Sequence, residues 1–529
     1  MMRRIILLLA LALVFSCSPS GKEKQEPNAL VDHLEICGKS VNPGKTAKDV
    51  PLDRPDITVF FSDRADVSRF KSDMVHLSDY DGSLTCKAGP TPESVILTPT
   101  VAFDYSRRYI LRFDKGSNWG LNLYDKFTFN LVTSFDTSDK FPRISDDELF
   151  EKVQKAAFDY FWDYGHPDCG LARERLGSGD TVTSGGSGFG VMTIPVGIEH
   201  GWITREEGAQ RTLKIVKFLQ SAERFHGAWS HWINGKTGKA IPFGTKDDGA
   251  DLVETAFMIE GLLAVKHYFT GADAVETEIR SIIQTLWEEV EWTWFRQGGQ
   301  NVLYWHWSPN YGWDMNLKIR SWNECLIVYV LAASSPTYPI TKEVYDKGWN
   351  GTNSYGYKNP LFFVHYSFMG LDPRNLKDDY ANYWEQNCRH VRTNYEYCVN
   401  STAGHGYSAE CWGLTASDYY NGYIASAPNN DTGTVAPTAA LASFPYAPDE
   451  AMAAMKYFYY VLGDKLWGQY GFYDAFALKQ LWFAKSYIAI DEGPIVVMME
   501  NYRTALLWNC FMQDTDVQAG LTKLGFTWN

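Results

Sequence analysis

Several familiar signatures are absent from this sequence of 529 residues, and each absence excludes a class of protein. The nine cysteines form no Cys-x-x-Cys pair, which argues against a zinc or thiol redox centre. No GK[ST] phosphate loop, dinucleotide fingerprint, HExxH motif, nucleophile elbow or catalytic-triad signature is present. We therefore expect neither a bound metal nor a cofactor.

Positive charge is also scarce. The formal net charge is −14, and no basic stripe of the kind that binds a phosphate backbone is visible. An acidic protein suits a neutral ligand better than a polyanion. We therefore expect no nucleic-acid partner, and we expect a monomer.

Long apolar runs are missing, with one short exception at the N-terminus. Arg3 and Arg4 precede an apolar run that ends at Phe15, which is too short to cross a bilayer and is typical of a signal peptide. Residues 14–17, VFSC, resemble a bacterial lipobox, so we expect a lipoprotein signal over 1–17 and a lipid on Cys17. A polar tether over 18–29 would follow. This predicts a periplasmic or outer-membrane lipoprotein; the alternative is an ordinary cleaved signal peptide.

Aromatic residues, by contrast, are abundant, at 15% of the chain. Many lie with histidines and acids in turn-rich segments between residues 225 and 314, where core packing explains them poorly. Flat rings beside carboxylates suit a sugar-binding cleft. The candidate stacking residues are Trp229, Trp232, Tyr304, Trp305, Trp307, Tyr311 and Trp313. His231 and His306 lie among them and are further candidates for binding the substrate.

Two patterns divide the chain. Residues 30–142 hold short β-branched and aromatic runs separated by Gly, Pro and Asp clusters, which predicts a small β-sandwich of immunoglobulin type. From 143 to 529 the apolar residues recur at the spacing of α-helices. Capping boxes at Ser145-x-x-Glu148 and Thr204-x-x-Glu207 begin two helices. Further predicted helices include 251–269, 318–334, 476–487 and 494–512.

The helical part is predicted to be a mainly α catalytic domain of about a dozen helices. Such a set can form a solenoid, a bundle or a closed double ring. Long loops with many polar and aromatic residues at alternate junctions favour the ring, an (α/α)6 barrel whose loops at one end build the site.

Glu254 is the leading catalytic candidate. It falls in the first turn of a predicted helix whose face at Met258, Gly261 and Val265 is apolar. A carboxyl group that is sheltered from water has a raised pKa, as a general acid requires near neutral pH. The alternative is a carboxylate stabilised only by the helix dipole.

Other acids are candidates for a second catalytic carboxylate. Glu174 and Asp180 lie in a Gly/Ser/Thr-rich loop that would let backbone approach a ligand closely. Asp251 is either an N-cap or a substrate ligand, and its spacing from Asp247 also allows a metal site, although no second acidic cluster pairs with it clearly.

Two later acids are candidates for binding the substrate. Glu410 lies in a Gly-rich loop. Glu492 precedes a helix expected to start at Pro494 and would face the mouth of the cleft.

Several long segments carry a family resemblance. They include GLARER (170–175), RFHGAWSHWINGKTGK (224–239), GADLVETAFMIEGLL (249–263), VLYWHWSPNYGW (302–313) and DEGPIVVMMENYRTALLW (491–508). Over residues 145–529 the chain resembles the bacterial glycoamylase-like domain and, more narrowly, glycoside hydrolase family 144, the β-1,2-glucan hydrolases of Bacteroidetes.

The resemblance implies an (α/α)6 barrel, an inverting mechanism and β-1,2-glucan or sophoro-oligosaccharides as substrate. Family members are endo-acting or exo-acting, the latter releasing sophorose. Glu254 matches the acid of the family's DLVET motif. The base stays open, with Asp180 as the first candidate and Glu174 as the other. An inverting pair should stand roughly 6.5–9.5 Å apart.

Two rival functions remain at this point. One is a glycan-binding lipoprotein without catalysis, and the other is a hydrolase or lyase acting on another polysaccharide linkage. The enclosed acid disfavours the first, and the excess of acids over bases disfavours a lyase of acidic glycans.

Overall fold

The computed structural model describes residues 25–349 and 356–528. The predicted signal peptide, Cys17 and most of the predicted tether lie outside these residues. Within the described part of the chain, no helix combines the length and the hydropathy needed to cross a membrane. The chain divides into two units between Asp136 and Thr137.

The first unit is made of β-strands, as the alternating apolar runs predict. Its strands are β1 Asn28–Ala29, β2 Val31–Ile36, β3 Lys39–Val41, β4 Thr46–Val50, β5 Ile57–Phe61, β6 Val75–Leu77, β7 Leu84–Ala88, β8 Ser94–Pro99, β9 Arg108–Phe113, β10 Gly116–Asn118, β11 Leu121–Leu123 and β12 Phe127–Thr133. They form three sheets, in the orders β3-β2-β5-β8-β7, β4-β12-β9-β6 and β1-β11-β10.

One hydrophobic core unites these sheets. Leu34, Val59 and Leu97 from the five-stranded sheet belong to the same buried cluster as Leu111 and Phe129 from the four-stranded sheet. Alternate residues of each strand point into this core, so the inward faces of the two sheets are apolar. The first unit is therefore a β-rich body with a core of its own.

The second unit is mostly helical. Its helices are α1 Asp146–Asp163, α2 Ser184–Glu199, α3 Arg205–Ser221, α4 Leu252–Tyr268, α5 Ala274–Glu288, α6 Leu326–Ser334, α7 Lys342–Gly348, α8 Tyr383–Asn400, α9 Pro437–Leu441, α10 Pro448–Lys456, α11 Gly463–Leu466, α12 Ala489–Arg503, α13 Leu506–Phe511 and α14 Thr515–Leu524. Short strands lie in the loops: β13 Thr181–Thr183, β14 Trp232–Asn234, β15 Ala240–Ile241, β16 Ala250–Asp251, β17 His306–Trp307, β18 Ala416–Tyr419, β19 Gly422–Ala425, β20 Trp467–Gly468, β21 Gly471–Phe472, β22 Phe476–Ala477 and β23 Trp482–Phe483.

Both predicted capping boxes are present. The side chain of Ser145 accepts from the amide of Glu148, and the Glu148 carboxylate accepts from the amide of Ser145. Thr204 and Glu207 make the same reciprocal pair at the start of α3. These boxes satisfy amides that would otherwise lack partners in the first turn.

Helices of two kinds occur in the second unit. α2, α4, α6 and α12 are buried almost all round, and their sequences are apolar or rich in small residues. α1, α3, α5 and α8 bury one side and expose the other. A helix that is apolar on every side must be enclosed by other elements. Helices α2, α4, α6 and α12 therefore lie inside the unit.

Glycines let two of these inner helices approach closely. A Cβ added at Gly188 on α2 would lie 2.3 Å from the carbonyl oxygen of Phe257 on α4, and one added at Gly261 would lie 2.1 Å from the carbonyl oxygen of Gly188. Backbone fills the space where a side chain would stand, so only glycine fits at both positions. The contact fixes the spacing of α2 and α4.

Three local predictions are wrong. Residues 318–325 precede α6 rather than belonging to it, and residues 476–487 form β22, a 3-10 turn and β23 instead of a helix. α12 begins at Ala489, with Pro494 inside its first turns, so Glu492 lies within the helix and not before it. Pro494 is the sixth residue of α12, so the helix lacks the hydrogen bond that an amide there would donate to the carbonyl of Ile490.

Cys388 and Cys398 could pair in an oxidising compartment, but both are free thiols. Both lie on α8, ten residues apart. At a rise of about 1.5 Å per residue their backbones are too far apart for a disulfide, which needs Cα atoms within about 7 Å.

The close contact between α2 and α4 makes a prediction about stability. Gly188→Ala should destabilise the second unit by about 1–3 kcal/mol or more, because the new methyl group meets backbone that cannot move aside. Denaturant unfolding measures the change. The control is Gly244→Ala, whose added Cβ would have Asp247 Cβ as its nearest neighbour at 3.9 Å. An equal and small change in both variants would contradict the proposed role of the contact.

Candidate active site

A cavity of about 480 Å³ opens at the N-terminal ends of α2, α4 and α12. Its volume lies within the usual range for small-molecule sites. The lining residues are Glu174, Arg175, Thr183, His231, Trp232, Phe243, Glu254, Phe362, Tyr366, Ala416, Tyr423, Ala425, Ile488 and Ile490. Among these, Glu174 and Glu254 are the two carboxylic acids. The cavity therefore combines two acids with an aromatic wall.

Glu254 is held at the cavity by both inner helices. Its carboxylate accepts a hydrogen bond of 2.8 Å from the amide of Gly185, the second residue of α2. Only 8% of the residue is exposed. Burial raises the pKa of this carboxyl, and the neighbouring Asp251 adds to the rise, while His231 and the Gly185 amide oppose it. Glu254 thus has the environment of a carboxyl group that binds its proton more tightly than a solvated one does.

A network of two further acids and two histidines lies beside Glu254. Asp251 caps α4, since one of its oxygens accepts from the amides of Val253 and Glu254. The other oxygen lies 3.2 Å from His231 Nδ1 and 3.6 Å from His306 Nε2. His306 Nε2 also lies 3.3 Å from Asp247. The predicted cap and the predicted substrate ligands are therefore parts of one charged network.

Opposite charges in this network shift one another's pKa. Burial disfavours the charged form of both histidines, but the acids outweigh it and raise the pKa of His231 to about 9 and that of His306 to about 10. Burial also disfavours charge on Asp251, but hydrogen bonds from the two histidines hold its pKa well below the usual value. Imidazolium and carboxylate forms therefore coexist near neutral pH.

Asp247, Asp251 and His306 are the group of described residues whose ligand atoms lie close enough together, within 4.8 Å, to hold a metal ion. One oxygen of Asp251 is already taken by two backbone amides, and His306 is held between two carboxylates. An imidazolium between two anions accounts for these contacts. We assign no metal to the group.

The second acid of the cavity, Glu174, is tied to a cation. Arg175 Nε lies 3.0 Å from each of its oxygens, and Arg175 Nη1 lies 3.0 and 3.1 Å from the two oxygens of Asp418. Burial raises the pKa of Glu174, although Arg175 opposes the rise. Glu174 is thus positioned rigidly, with a charge partner that favours its anionic form.

Three buried acids lie near Asp418: Asp474 in the loop before β22, and Asp491 and Glu492 in the first turn of α12. Asp474 accepts from the amide of Asp418 at 2.7 Å, and it lies close enough to the carboxyl of Asp491 to raise the pKa of that group. Burial and the neighbouring acids raise the pKa of Asp474 to about 7 and that of Asp491 well above its usual value. Burial, with Asp474 nearby, does the same for Glu492. Two adjacent carboxyls of this kind share protons rather than carrying two charges.

Glu492, predicted to bind the substrate at the cleft mouth, is 2% exposed and is not among the lining residues. The prediction is wrong because Glu492 belongs to the first turn of α12 and points into the protein.

Asp180 does not line the cavity. It ion-pairs with Lys236 at 3.1 Å and contacts His166 at 3.2 Å, and these contacts lower its pKa. Its side chain is 40% exposed. A solvated, paired carboxylate of this kind is a weak base, so the structure does not support Asp180 as the first candidate for that role. Glu410 is exposed and also lies outside the lining.

Most of the candidate aromatic residues between 225 and 314 also lie outside the cavity lining. Trp229 is fully buried, and its indole donates to the carbonyl of Leu219, so it is a core residue and not a stacking platform. Trp305, Trp307 and Trp313 pack against the hydrophobic core, while Tyr311 is 42% exposed; none lines the cavity.

Other aromatic residues form the wall instead. Trp232 from the same stretch lines the cavity, and Phe243 packs between it and His231, with ring centroids at 4.8 and 4.2 Å. Tyr423, Tyr366 and Phe362 line it too. Phe243 and Tyr423 are each 51% exposed, so their faces are open to a ligand. They come from loops that no sequence motif marked.

Sequence reasoning also missed Arg175, Asp418 and the importance of Glu324. Glu324 lies in the loop before α6, and burial together with Glu254 and Asp251 raises its pKa to about 7. Its environment depends on the packing of α4 against α6, which no local pattern encodes. Arg175 had a local signal, since it directly follows the candidate Glu174.

Known proteins resemble this chain over most of its length. A family model described as "Putative glucoamylase" matches residues 316–515. An exo-β-1,2-glucooligosaccharide sophorohydrolase (non-reducing end) of Parabacteroides distasonis is 45% identical over 419 residues, which cover 72% of this chain and 58% of that protein. The chain thus spans somewhat more than half the length of that relative.

Solved structures of β-1,2-glucanases are also similar to this chain. An endo-β-1,2-glucanase from Chitinophaga pinensis, determined with sophorotriose and glucose, is 51% identical and superposes with a TM-score of 0.71 over 73% of this chain and 99% of that chain. A β-1,2-glucanase from Parabacteroides distasonis is 36% identical, with a TM-score of 0.70 over 95% of this chain and 74% of that chain.

The raised pKa of His306 makes a prediction about pH. A histidine with a pKa of about 10 when folded and about 6.5 when unfolded contributes stability that is full below pH 6.5 and is lost as the pH rises through 10. His306→Asn should therefore cost more unfolding free energy at pH 6 than at pH 10. Urea unfolding of both proteins at the two pH values measures this difference. A cost that does not change with pH would contradict a charged His306.

Proposed function

Because this chain belongs to the glycoamylase-like family that includes the β-1,2-glucanases of Bacteroidetes, glycoside hydrolase family 144, we propose that it hydrolyses β-1,2-glucan or β-1,2-gluco-oligosaccharides. The observation that carries the proposal is a buried acid, Glu254, on the wall of a cavity that also holds Glu174 and exposed aromatic rings. Relatives with this activity are 45% and 51% identical to the chain.

The proposed mechanism uses the two acids of the cavity. Glu254, protonated in its sheltered position, gives its proton to the glycosidic oxygen as the bond from that oxygen to the anomeric carbon breaks. Glu174 takes a proton from a water molecule that attacks the anomeric carbon from the opposite face. The product is a hemiacetal of inverted configuration and a free alcohol, and proton exchange with solvent restores both acids.

Glu174 replaces Asp180 as the proposed base. It is the second acid of the lining, and burial gives it a higher proton affinity than a solvated carboxylate has. Arg175 favours its ionised form, which a base must have before the reaction. Asp418 shares Arg175 and so fixes the direction of the guanidinium.

The cavity wall suits a neutral sugar chain. Trp232, Phe243 and Tyr423 offer ring faces that can stack on the C–H side of a glucose unit. A lyase acting on uronates would need a cation to neutralise the substrate carboxylate, and the one Arg or Lys of the described lining, Arg175, is already paired with two acids. The wall therefore favours a neutral glucan over an acidic one.

We infer two finer features of the architecture. The enclosed helices and the half-exposed helices are consistent with a double ring, the (α/α)6 barrel, in which the cavity lies at one end. The two sheets around one core in the first unit support an immunoglobulin-like sandwich. We also propose, from the N-terminal pattern, that Cys17 carries a lipid and that the protein is anchored in the cell envelope. We propose separately that it acts as a monomer.

Product analysis on linear β-1,2-glucan tests the function. We expect new reducing ends and products of the sophorose series. Sophorose alone indicates attack from a chain end, as in the Parabacteroides relative, and a ladder of lengths indicates internal cleavage, as in the Chitinophaga relative. Binding without any new reducing ends would contradict the proposal and favour a glycan-binding protein.

Replacing the acid tests its role. Glu254→Gln removes the proton that is transferred but keeps the size of the side chain, so kcat should fall by about 10²–10⁴-fold while oligosaccharide binding persists. Stopped reducing-sugar assays and calorimetry measure the two effects.

Glu260→Gln is the matched control. Glu260 lies on the same helix and is fully buried, but it accepts from the amides of Gly370 and Leu371, away from the cavity. Burial raises its pKa well above the usual value, so the neutral amide closely imitates it. An unchanged kcat in Glu254→Gln would contradict the assignment of the acid.

A further inference from the structure

His231 lies where three elements meet. Its carbonyl accepts from the amide of Ser184, the first residue of α2, and its ring lines the cavity just before β14. The next residue of α2, Gly185, donates to Glu254 on α4. The position of the imidazole is therefore tied to the same contacts that hold the proposed acid.

The ring of His231 is contacted at Nδ1 by two acids and on its face by Phe243. Nδ1 lies 3.2 Å from Asp251 and 4.0 Å from Oε1 of Glu254, and Phe243 packs on the ring at a centroid distance of 4.2 Å. Nδ1 bonded to Asp251 must carry a hydrogen, because the carboxylate can only accept. His231 is therefore fixed in orientation, with its charge directed to the two acids.

From these contacts we propose that His231 is a positioning residue for the proposed reaction: an imidazolium, anchored by Asp251, that holds the carboxyl of Glu254 in place and balances charge at the cavity. The inference rests on the proposed function. His231 acts through Glu254, so it is distinct from the acid and the base themselves.

The surroundings decide the charge of His231. Glu254 and Asp251 face it from α4, and Asp247 from the preceding loop. Glu174 lies within its electrostatic reach across the cavity. His306 is the competing cation, but it is paired with Asp247 and Asp251. Burial opposes charge on His231, but Glu254 in its ionised form and the ionised Asp251 outweigh it and favour the protonated ring.

The charge of His231 shifts the pKa of both acids in the same direction. Its charge lowers the pKa of Glu254, which burial and Asp251 raise, and it lowers that of Glu174 as well. Without the charge of His231, the pKa of Glu254 and the pKa of Glu174 would both be higher. Removal of the charge should therefore move both limbs of the pH–activity profile upward.

The test is the pH profile of kcat/KM on β-1,2-gluco-oligosaccharide for His231→Asn, His231→Lys and His226→Asn. In His231→Asn the basic limb should move up by about one pH unit or more, since a charge within about 4–6 Å shifts a carboxyl pKa by that amount. In His231→Lys, which keeps a cation, the limb should stay near its wild-type position even if kcat falls. Loss of rate in His231→Asn with both limbs unmoved would show a merely structural role and overturn the proposal.

His226 is the matched control. It belongs to the same histidine-rich stretch but stacks on Trp294 at 3.7 Å and pairs with Glu291, away from the cavity. Its backbone is left-handed, with φ 53°, a conformation that asparagine tolerates. His226→Asn should leave both limbs in place, and a shift equal to that of His231→Asn would also overturn the proposal.

A second measurement is independent of catalysis. NMR titration of the ¹⁵N-labelled wild-type protein, with the ring signals of His231 identified by their loss in His231→Lys, should show a doubly protonated imidazole at pH 7.5. A midpoint below pH 7 would overturn the inference whatever the substrate proves to be. A protein that fails to cleave β-1,2-glucan but shows a charged His231 would contradict the proposed function alone.

Discussion

The hydrogen bond from the Gly185 amide to Glu254 joins the fold of the second unit to its chemistry. It exists because α2 and α4 meet through glycines. A Cβ at position 185 would lie 2.3 Å from the Glu254 carboxylate, so any other residue would displace the acid. The same close approach buries the carboxyl without removing all of its partners. Packing and proton affinity are therefore set by one contact.

Around this contact the acids divide into groups with different environments. Glu254 is buried with one backbone donor, Asp251 is paired with two histidines, and Glu174 is paired with Arg175. Their pKa values move apart accordingly, upward for Glu254 and downward for Asp251. Carboxyl groups whose pKa values differ in this way can take different roles at one pH. The cavity needs no residue types beyond common acids, histidine and arginine to achieve this.

Local patterns in the sequence predicted what depends on neighbours along the chain. The capping boxes at Ser145 and Thr204 do begin helices, and Glu254 could be recognised as a sheltered acid because its own helix is apolar on that face. Asp251 was recognisable as a cap for the same reason. The strand pattern before Asp136 likewise follows from alternation within each strand.

Features that depend on distant segments could not be predicted. Trp229 lies in a turn-rich stretch, yet α3 and α4 cover it completely, whereas Trp232, three residues later, reaches the cavity. Asp180 is paired by Lys236 and His166, one of them 56 residues away along the chain. Asp418, Asp474 and Asp491 meet from three separate loops and helix ends. Burial and pairing of this kind are properties of the closed fold.

The central claim is that the carboxyl of Glu254 faces the bond to be cleaved inside this cavity. A crystal structure of the Glu254→Gln protein with a β-1,2-gluco-oligosaccharide tests it most directly. We predict that a glycosidic oxygen lies within about 3 Å of the side chain at position 254, with sugar rings against Trp232 or Phe243. An oligosaccharide that occupies the cavity with no glycosidic oxygen near position 254, or that binds only elsewhere on the protein, would contradict the account.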